Sequence, residues 1–169
     1  MRKLPLLGEL AQHATIPEWW VSRPVVVRFL SEQPIPFTLM VQADGDEYPP
    51  DVAEAVARFL SLGPTDRAAA TGRVFEYYCD YVNAVPDAHL GIDEPDSIWP
   101  HIQARYAALQ RKGKTGRHVY VLLVCDCEWD DEHGLQLLYR DGNDLVHVGD
   151  QDGGITYAQE EDAEPEGCT

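Results

Sequence analysis

At 169 residues and 44% apolar, the chain is long enough to bury a substantial core within a single domain. Its formal net charge of −16 sets it apart: duplex nucleic acid and anionic membranes would repel it, whereas a cationic partner would be drawn to it. No run approaches the ~18 apolar residues of a membrane span. The apolar opening around Leu4, Leu6 and Leu7 is cut short by Glu9 and His13 before a secretory core can form, so a cytoplasmic location is expected.

Residues 1–16 lack periodicity and are expected to lie on the surface or wrap an edge. Glu18 to Val21 reads as a short strand. The β-branched run Pro24 to Leu30 turns through Ser31 to Pro34 into Ile35–Val41, whose Ile35, Phe37, Leu39 and Val41 alternate as in a half-buried strand. Pro36 cannot donate to a ladder and belongs at a strand start or on an edge.

After the loop Asp44 to Pro50, the spacing of Val52, Ala55, Val56, Phe59 and Leu60 predicts a helix, which Leu62-Gly63-Pro64 stops. A second helix is capped by Thr65 or Asp66 and carries the stripe Val74, Tyr77, Tyr78, Tyr81 and Val82. Gly72 inside it costs ~1 kcal/mol relative to alanine. A loop over Asn83 to Asp96 precedes a third predicted helix. It starts at Asp96 or Ser97, with Ile98, Trp99, Ile102, Tyr106 and Leu109 facing the core. The basic connection Arg111 to Arg117 then leads onward.

His118 to Cys127 is the most apolar run. Val119, Val121, Leu123, Cys125 and Cys127 share one face of a strand, and Tyr120, Leu122 and Val124 the other, so it reads as a central strand covered on both sides. Leu135 to Tyr139 and Leu145 to Val148 form a hairpin across Asp141-Gly142-Asn143-Asp144. The expectation is a single α+β domain over residues 1–157. It has an antiparallel or mixed sheet of five to six strands packed with three helices, in the order β-β-α-α-α-β-β-β, and no internal repeat. Residues 158–169 form an acidic tail expected to be disordered.

Four cysteines, Cys79, Cys125, Cys127 and Cys168, do not suggest a disulfide framework, because Cys125 and Cys127 lie in one strand with no reversal between them. Buried thiols in a reducing compartment are the simpler account.

Charge is unevenly placed. From Asp126 onward only Arg140 opposes a long series of acids, whereas residues 105–117 carry only positive charge. Asp126, Glu128, Asp130, Asp131 and Glu132 crowd one turn, either as a solvated loop or as a docking surface. Cys125, Cys127 and His133 have metal-ligand chemistry without the paired spacing of a zinc site, and Asp150 to Gly154 holds only a fragment of a calcium loop. Glu132 and His133 beside Asp130 could supply an acid–base pair, and Cys125 or Cys127 a nucleophile. The alternative is structural: Gly134 gives the backbone room, while Glu132 or His133 bonds loop amides. Trp19, Trp20, Trp99, Trp129, Tyr77, Tyr78 and Tyr81 either line a groove or fill the core. Trp129, next to the acids, is the one expected to be partly exposed.

The stretch Cys127-Glu128-Trp129-Asp130-Asp131-Glu132-His133-Gly134-Leu135, the Arg140-Asp141-Gly142 turn and the Val148-Gly149-x-x-Asp152-Gly153 ending carry a resemblance, as do Tyr77-Tyr78 and Ile98-Trp99. They resemble an uncharacterised bacterial domain-of-unknown-function family with a W-x-x-E-H-G hairpin near its C-terminus, over most of residues 19–155. The resemblance implies a bacterial cytoplasmic protein, similar in style to immunity proteins of toxin systems, and brings no catalytic residues. Gly154 departs from the pattern, which has a His after Asp-Gly, and weakens any histidine-dependent site there.

The reading is a non-enzymatic binding protein without cofactor, metal or catalytic residues. Trp129, Asp130, Asp131, Glu132 and His133 would engage a cationic protein, a toxin being the case in view, with no nucleic acid or membrane partner. The alternative is a small enzyme or metal-binding protein centred on Cys125, Cys127 and His133.

Overall fold

The computed structural model describes residues 1–113 and 116–151. Six short strands come first: β1 (Arg2–Leu4), β2 (Gly8–Gln12), β3 (Trp20–Ser22), β4 (Val25–Val27), β5 (Gln33–Ile35) and β6 (Phe37–Leu39). Two helices follow, α1 (Pro50–Ser61) and α2 (Pro64–Ala84). The chain returns as β7 (Ile102–Gln110), β8 (Tyr120–Cys127), β9 (Asp130–Arg140) and β10 (Asp144–Gly149). Eight strands make one mixed sheet in the order β1-β2-β3-β6-β7-β8-β9-β10, and β4 and β5 pair separately. All pairings are antiparallel except β6 with β7. A parallel pair needs a long crossover, and the helical segment supplies it.

The α+β class stands, with more strands in a different order. The unpatterned N-terminus is an edge hairpin whose Leu4, Leu7 and Leu10 are buried. The third predicted helix is not formed: Pro95–Ser97 and Trp99–His101 are single 3-10 turns, and β7 follows directly. A bulge explains the misreading. The β7–β8 register slips between Ala104 and Tyr106, leaving Arg105 as an extra residue. Ile102 and Ala104 face the main core before the slip, and Ala107 and Leu109 after it. One inserted residue thus turned a period of two into a spacing that resembles a helix, and three alanines reinforced it.

Strand β8 is as its alternation predicts. Val119, Val121, Leu123, Cys125 and Cys127 enter the main core with both helices, while Tyr120, Leu122 and Val124 join Ala108 and Leu138 in a second cluster on the opposite face. Helix α1 contributes Val52, Ala55, Val56 and Phe59 to the main core, and α2 contributes Ala70, Val74, Tyr78 and Val82. Both helices begin with proline. Neither Thr65 nor Asp66 is the N-cap of α2; Gly63 is, and Asp66 reaches back to accept its amide at 2.8 Å.

The β9–β10 turn has positive φ at Asp141 (52°) and Gly142 (92°), not at Asn143. Its tip presses on α1, where a Cβ on Gly142 would overlap the Ala55 carbonyl. Gly72, by contrast, has nothing within 4 Å of its would-be Cβ. Among the described residues no helix is long and apolar enough to cross a membrane. The expected acidic tail at 158–169 lies outside the described residues, as do Lys114 and Thr115 of the basic connection and Asp152 to Gly154 of the calcium-loop fragment.

These two glycines give opposite expectations in urea denaturation. Gly72→Ala stabilises by about 0.5–1 kcal/mol through helix propensity. Gly142→Ala destabilises by about 2–4 kcal/mol, from left-handed strain and overlap with α1.

Candidate functional site

The acid-rich hairpin tip is a constructed bulge rather than a loose turn. Cys127 pairs with Asp130 and Cys125 with Leu135, so residues 131–134 are an excursion from the ladder. Asp130 sits at its centre, 4% exposed. Its Oδ1 accepts the amides of Glu132 at 3.3 Å and His133 at 3.0 Å, and lies 3.2 Å from His133 Nδ1. A buried carboxylate holding backbone donors fixes a turn as an N-cap fixes a helix start. Gly134 closes the bulge at φ 64°, where a Cβ would lie 2.7 Å from the Cys125 carbonyl. Gln151 braces the same point, its Nε2 donating to that carbonyl at 3.0 Å and its amide to the His133 carbonyl at 3.2 Å.

The five expected contact residues therefore divide. Asp131, Glu132 and His133 are exposed. Trp129 is not: it is 3% exposed and packs edge-on against Tyr78 at 5.3 Å. Its expected exposure is corrected by the helix that lies over it. Asp130 is likewise withdrawn from solvent, and it is this residue, rather than Glu132 or His133, whose side chain accepts the loop amides.

Tyr77 and Tyr81, half-buried on α2, lie within electrostatic reach of Asp130. Burial, and then the charges of Asp150 and Asp130, raise the Tyr77 pKa; burial and then Asp130 raise that of Tyr81. The Tyr81 hydroxyl thus feels the carboxylate without closing a well-directed bond onto Oδ2, which has no hydrogen-bond partner.

The thiols are placed differently from the histidine. Cys125 is fully buried in the main core, where burial pushes its pKa up, and burial pushes that of Cys127 up to about 12. Both are protonated at neutral pH and neither is an activated nucleophile. Among the described residues no three His, Cys, Asp or Glu side chains gather into a metal-binding group.

The fold also brings a second acid-rich stretch of the chain to the hairpin. Residues 74–104 contain Glu76, Asp80, Asp87, Asp93, Glu94 and Asp96 and no lysine or arginine. Residues 118–139 contain Asp126, Glu128, Asp130, Asp131 and Glu132 and again none. Trp129 on Tyr78, the Glu128 amide on the His101 carbonyl at 3.1 Å, and the Ile102–Cys127 pairing bring the two stretches together. Every one of these acids except Asp130 is exposed. Arg105 enters from the bulge of β7, with its Nε 2.6 Å from Asp126, and His101 pairs with Glu128. A hollow of about 260 Å³ lies between them, lined by His101, Gln103, Asp126, Glu128 and Asp131. Asp131 and Glu132 make no ion pair among the described residues. Sequence proximity exposed only the hairpin acids; the others are scattered along α2 and its following loop.

The family model "Domain of unknown function (DUF6985)" matches residues 6–156. The chain belongs to that family. Its matched span begins after β1 and takes in β2, both helices and the whole hairpin tip. No curated protein matches the chain, and no solved structure does.

The bulge predicts a split among adjacent acids. Asp130→Ala should cost about 1–3 kcal/mol by leaving two part-buried amides without their acceptor. Asp131→Ala and Glu132→Ala should stay within about 0.5 kcal/mol. Urea denaturation reads the energies, and faster amide exchange at Glu132 and His133 in Asp130→Ala identifies the cause. Thiol titration at pH 8 should leave Cys125 and Cys127 unlabelled in the native protein and label both in denaturant.

Proposed function

We propose that this protein is a non-enzymatic binding module of the bacterial cytoplasm that engages a cationic protein, with the neutralisation of a toxin by a cognate immunity protein as the favoured setting. The observation that supports this reading most is the gathering of two stretches without lysine or arginine onto one end of the fold. Asp131 and Glu132 are its foremost contacts, with Asp126, Glu128 and the α2-side acids around them. His133, exposed beside them, is included; Trp129 and Asp130 support the surface from beneath.

The physics has two parts. A surface of one sign steers an oppositely charged partner and raises the association rate, an effect that salt screens. The Asp130 bulge holds the protruding residues in one backbone geometry, so less ordering entropy is lost on contact. A flexible acidic segment would provide the first effect without the second.

Affinity capture from the protein's own host tests the reading. Wild-type protein at low salt should retain a basic protein that Asp131→Lys/Glu132→Lys, checked for native melting, loses by at least about tenfold. With the captured partner, the association rate should fall steeply with ionic strength while dissociation changes little. Equal retention by wild type and variant, or recovery of no basic protein, would rule the reading out.

A further inference from the structure

We propose that a hollow on the sheet face opposite the helices is a second site that binds a planar aromatic anion. Its volume is about 510 Å³, within the ~300–1,000 Å³ of small-molecule sites. Pleating creates its floor. Trp20, Phe37 and Leu39 point into the main core, so Val21, Thr38 and Met40 point the other way. Trp19 and Tyr106 add aromatic surface to the lining. Arg105 and His13 supply its polar character. The same bulge that disguised β7 sets Arg105 beside Tyr106.

The chemistry of the occupant follows from the donors. His13 Nδ1 accepts the amides of Thr15 at 3.3 Å and Ile16 at 3.2 Å, so the neutral ring carries its proton on Nε2, as a donor. The Trp19 edge contact at 5.5 Å fixes the ring plane. Arg105 uses Nε on Asp126, and its two amino groups have no hydrogen bond among the described residues. The Thr38 hydroxyl adds a donor that can rotate. No carboxylate lines this hollow, whereas the hollows lined by Asp44, by Asp66, and by Asp126, Glu128 and Asp131 each contain at least one. Aromatic walls with donors and without acids suit a flat ring bearing a carboxylate or sulfonate.

The hollow and the acidic end meet at the Arg105–Asp126 pair, and salt separates their ligands. Screening weakens a cation on the acidic end. For the anion it screens both the attraction of Arg105 and the repulsion of the whole −16 chain, so anion affinity should change less with salt than that of the cationic partner.

Fluorescence titration of the full chain with 1-anilinonaphthalene-8-sulfonate and its neutral relative N-phenyl-1-naphthylamine tests this. One sulfonate should bind per chain, about tenfold tighter than the neutral amine. Arg105→Gln should abolish that preference without affecting the amine. Thr38→Phe should exclude both probes by filling the floor; should it not fold, the half-buried Trp19→Ala should weaken both about tenfold. Unsaturable binding, equal affinity for the two probes, or sulfonate affinity unchanged by Arg105→Gln would overturn the proposal.

Discussion

Strand β8 carries apolar side chains on both faces, and that constraint organises the molecule. Such a strand cannot lie at an edge, so it needs a hydrogen-bonded neighbour on each side and cover above and below. Strands β7 and β9 provide the neighbours. The helices cover Val121, Leu123 and Cys125, and the second cluster forms around Tyr120, Leu122 and Val124. The position of β8 then sets the position of the hairpin tip. Its end at Cys127 delivers Trp129 against Tyr78 and brings Asp130 within electrostatic reach of Tyr77 and Tyr81.

Asp130 shows how one buried carboxylate exposes its neighbours. Backbone amides in an excursion from a ladder must find acceptors or water. By accepting those of Glu132 and His133, Asp130 keeps the excursion short and closed. The side chains of Asp131, Glu132 and His133 are then left pointing outward. The W-x-x-E-H-G pattern is accordingly part anchor and part surface: Trp129, Asp130 and Gly134 are fixed by packing, hydrogen bonding and backbone geometry, while Asp131, Glu132 and His133 face solvent.

What could be read from the residues was whatever depends on local alternation. The faces of β8, the β9–β10 hairpin, and the apolar sides of α1 and α2 all follow from periods of 2 and 3.6 within single segments. What could not be read depends on a break in period or on distant partners. Arg105 shifted the phase of β7 by one residue, and no local pattern distinguishes that slip from a helical stripe. Trp129 looked exposed because its sequence neighbours are acidic; its cover comes from Tyr78, distant in the chain. Only the hairpin acids are neighbours in sequence; the stretch 74–104, with its own acids, is brought to the hairpin by Trp129 on Tyr78 and by the Ile102–Cys127 pairing. Trp19 was foreseen as a possible groove residue, but Tyr106 was assigned to a helix core.

Clustered charge does not by itself demand a partner, because exposed acids separated by water repel one another only weakly. A protein that needed acidity for solubility alone could carry it anywhere. Here two long stretches lack cations: 74–104 and 118–139 hold no lysine or arginine, although the chain has 13 in all. The fold then joins the two depleted stretches instead of opposing each to a basic one. Arg105 is the one arginine seen to pair with these acids among the described residues, and it does so at their margin, where the hollow on the other face begins. The Arg105–Asp126 pair therefore lies between an acidic surface and an acid-free hollow. With Asp126 paired to Arg105, the exposed Asp131 and Glu132, which make no ion pair among the described residues, are the hairpin carboxylates left unopposed.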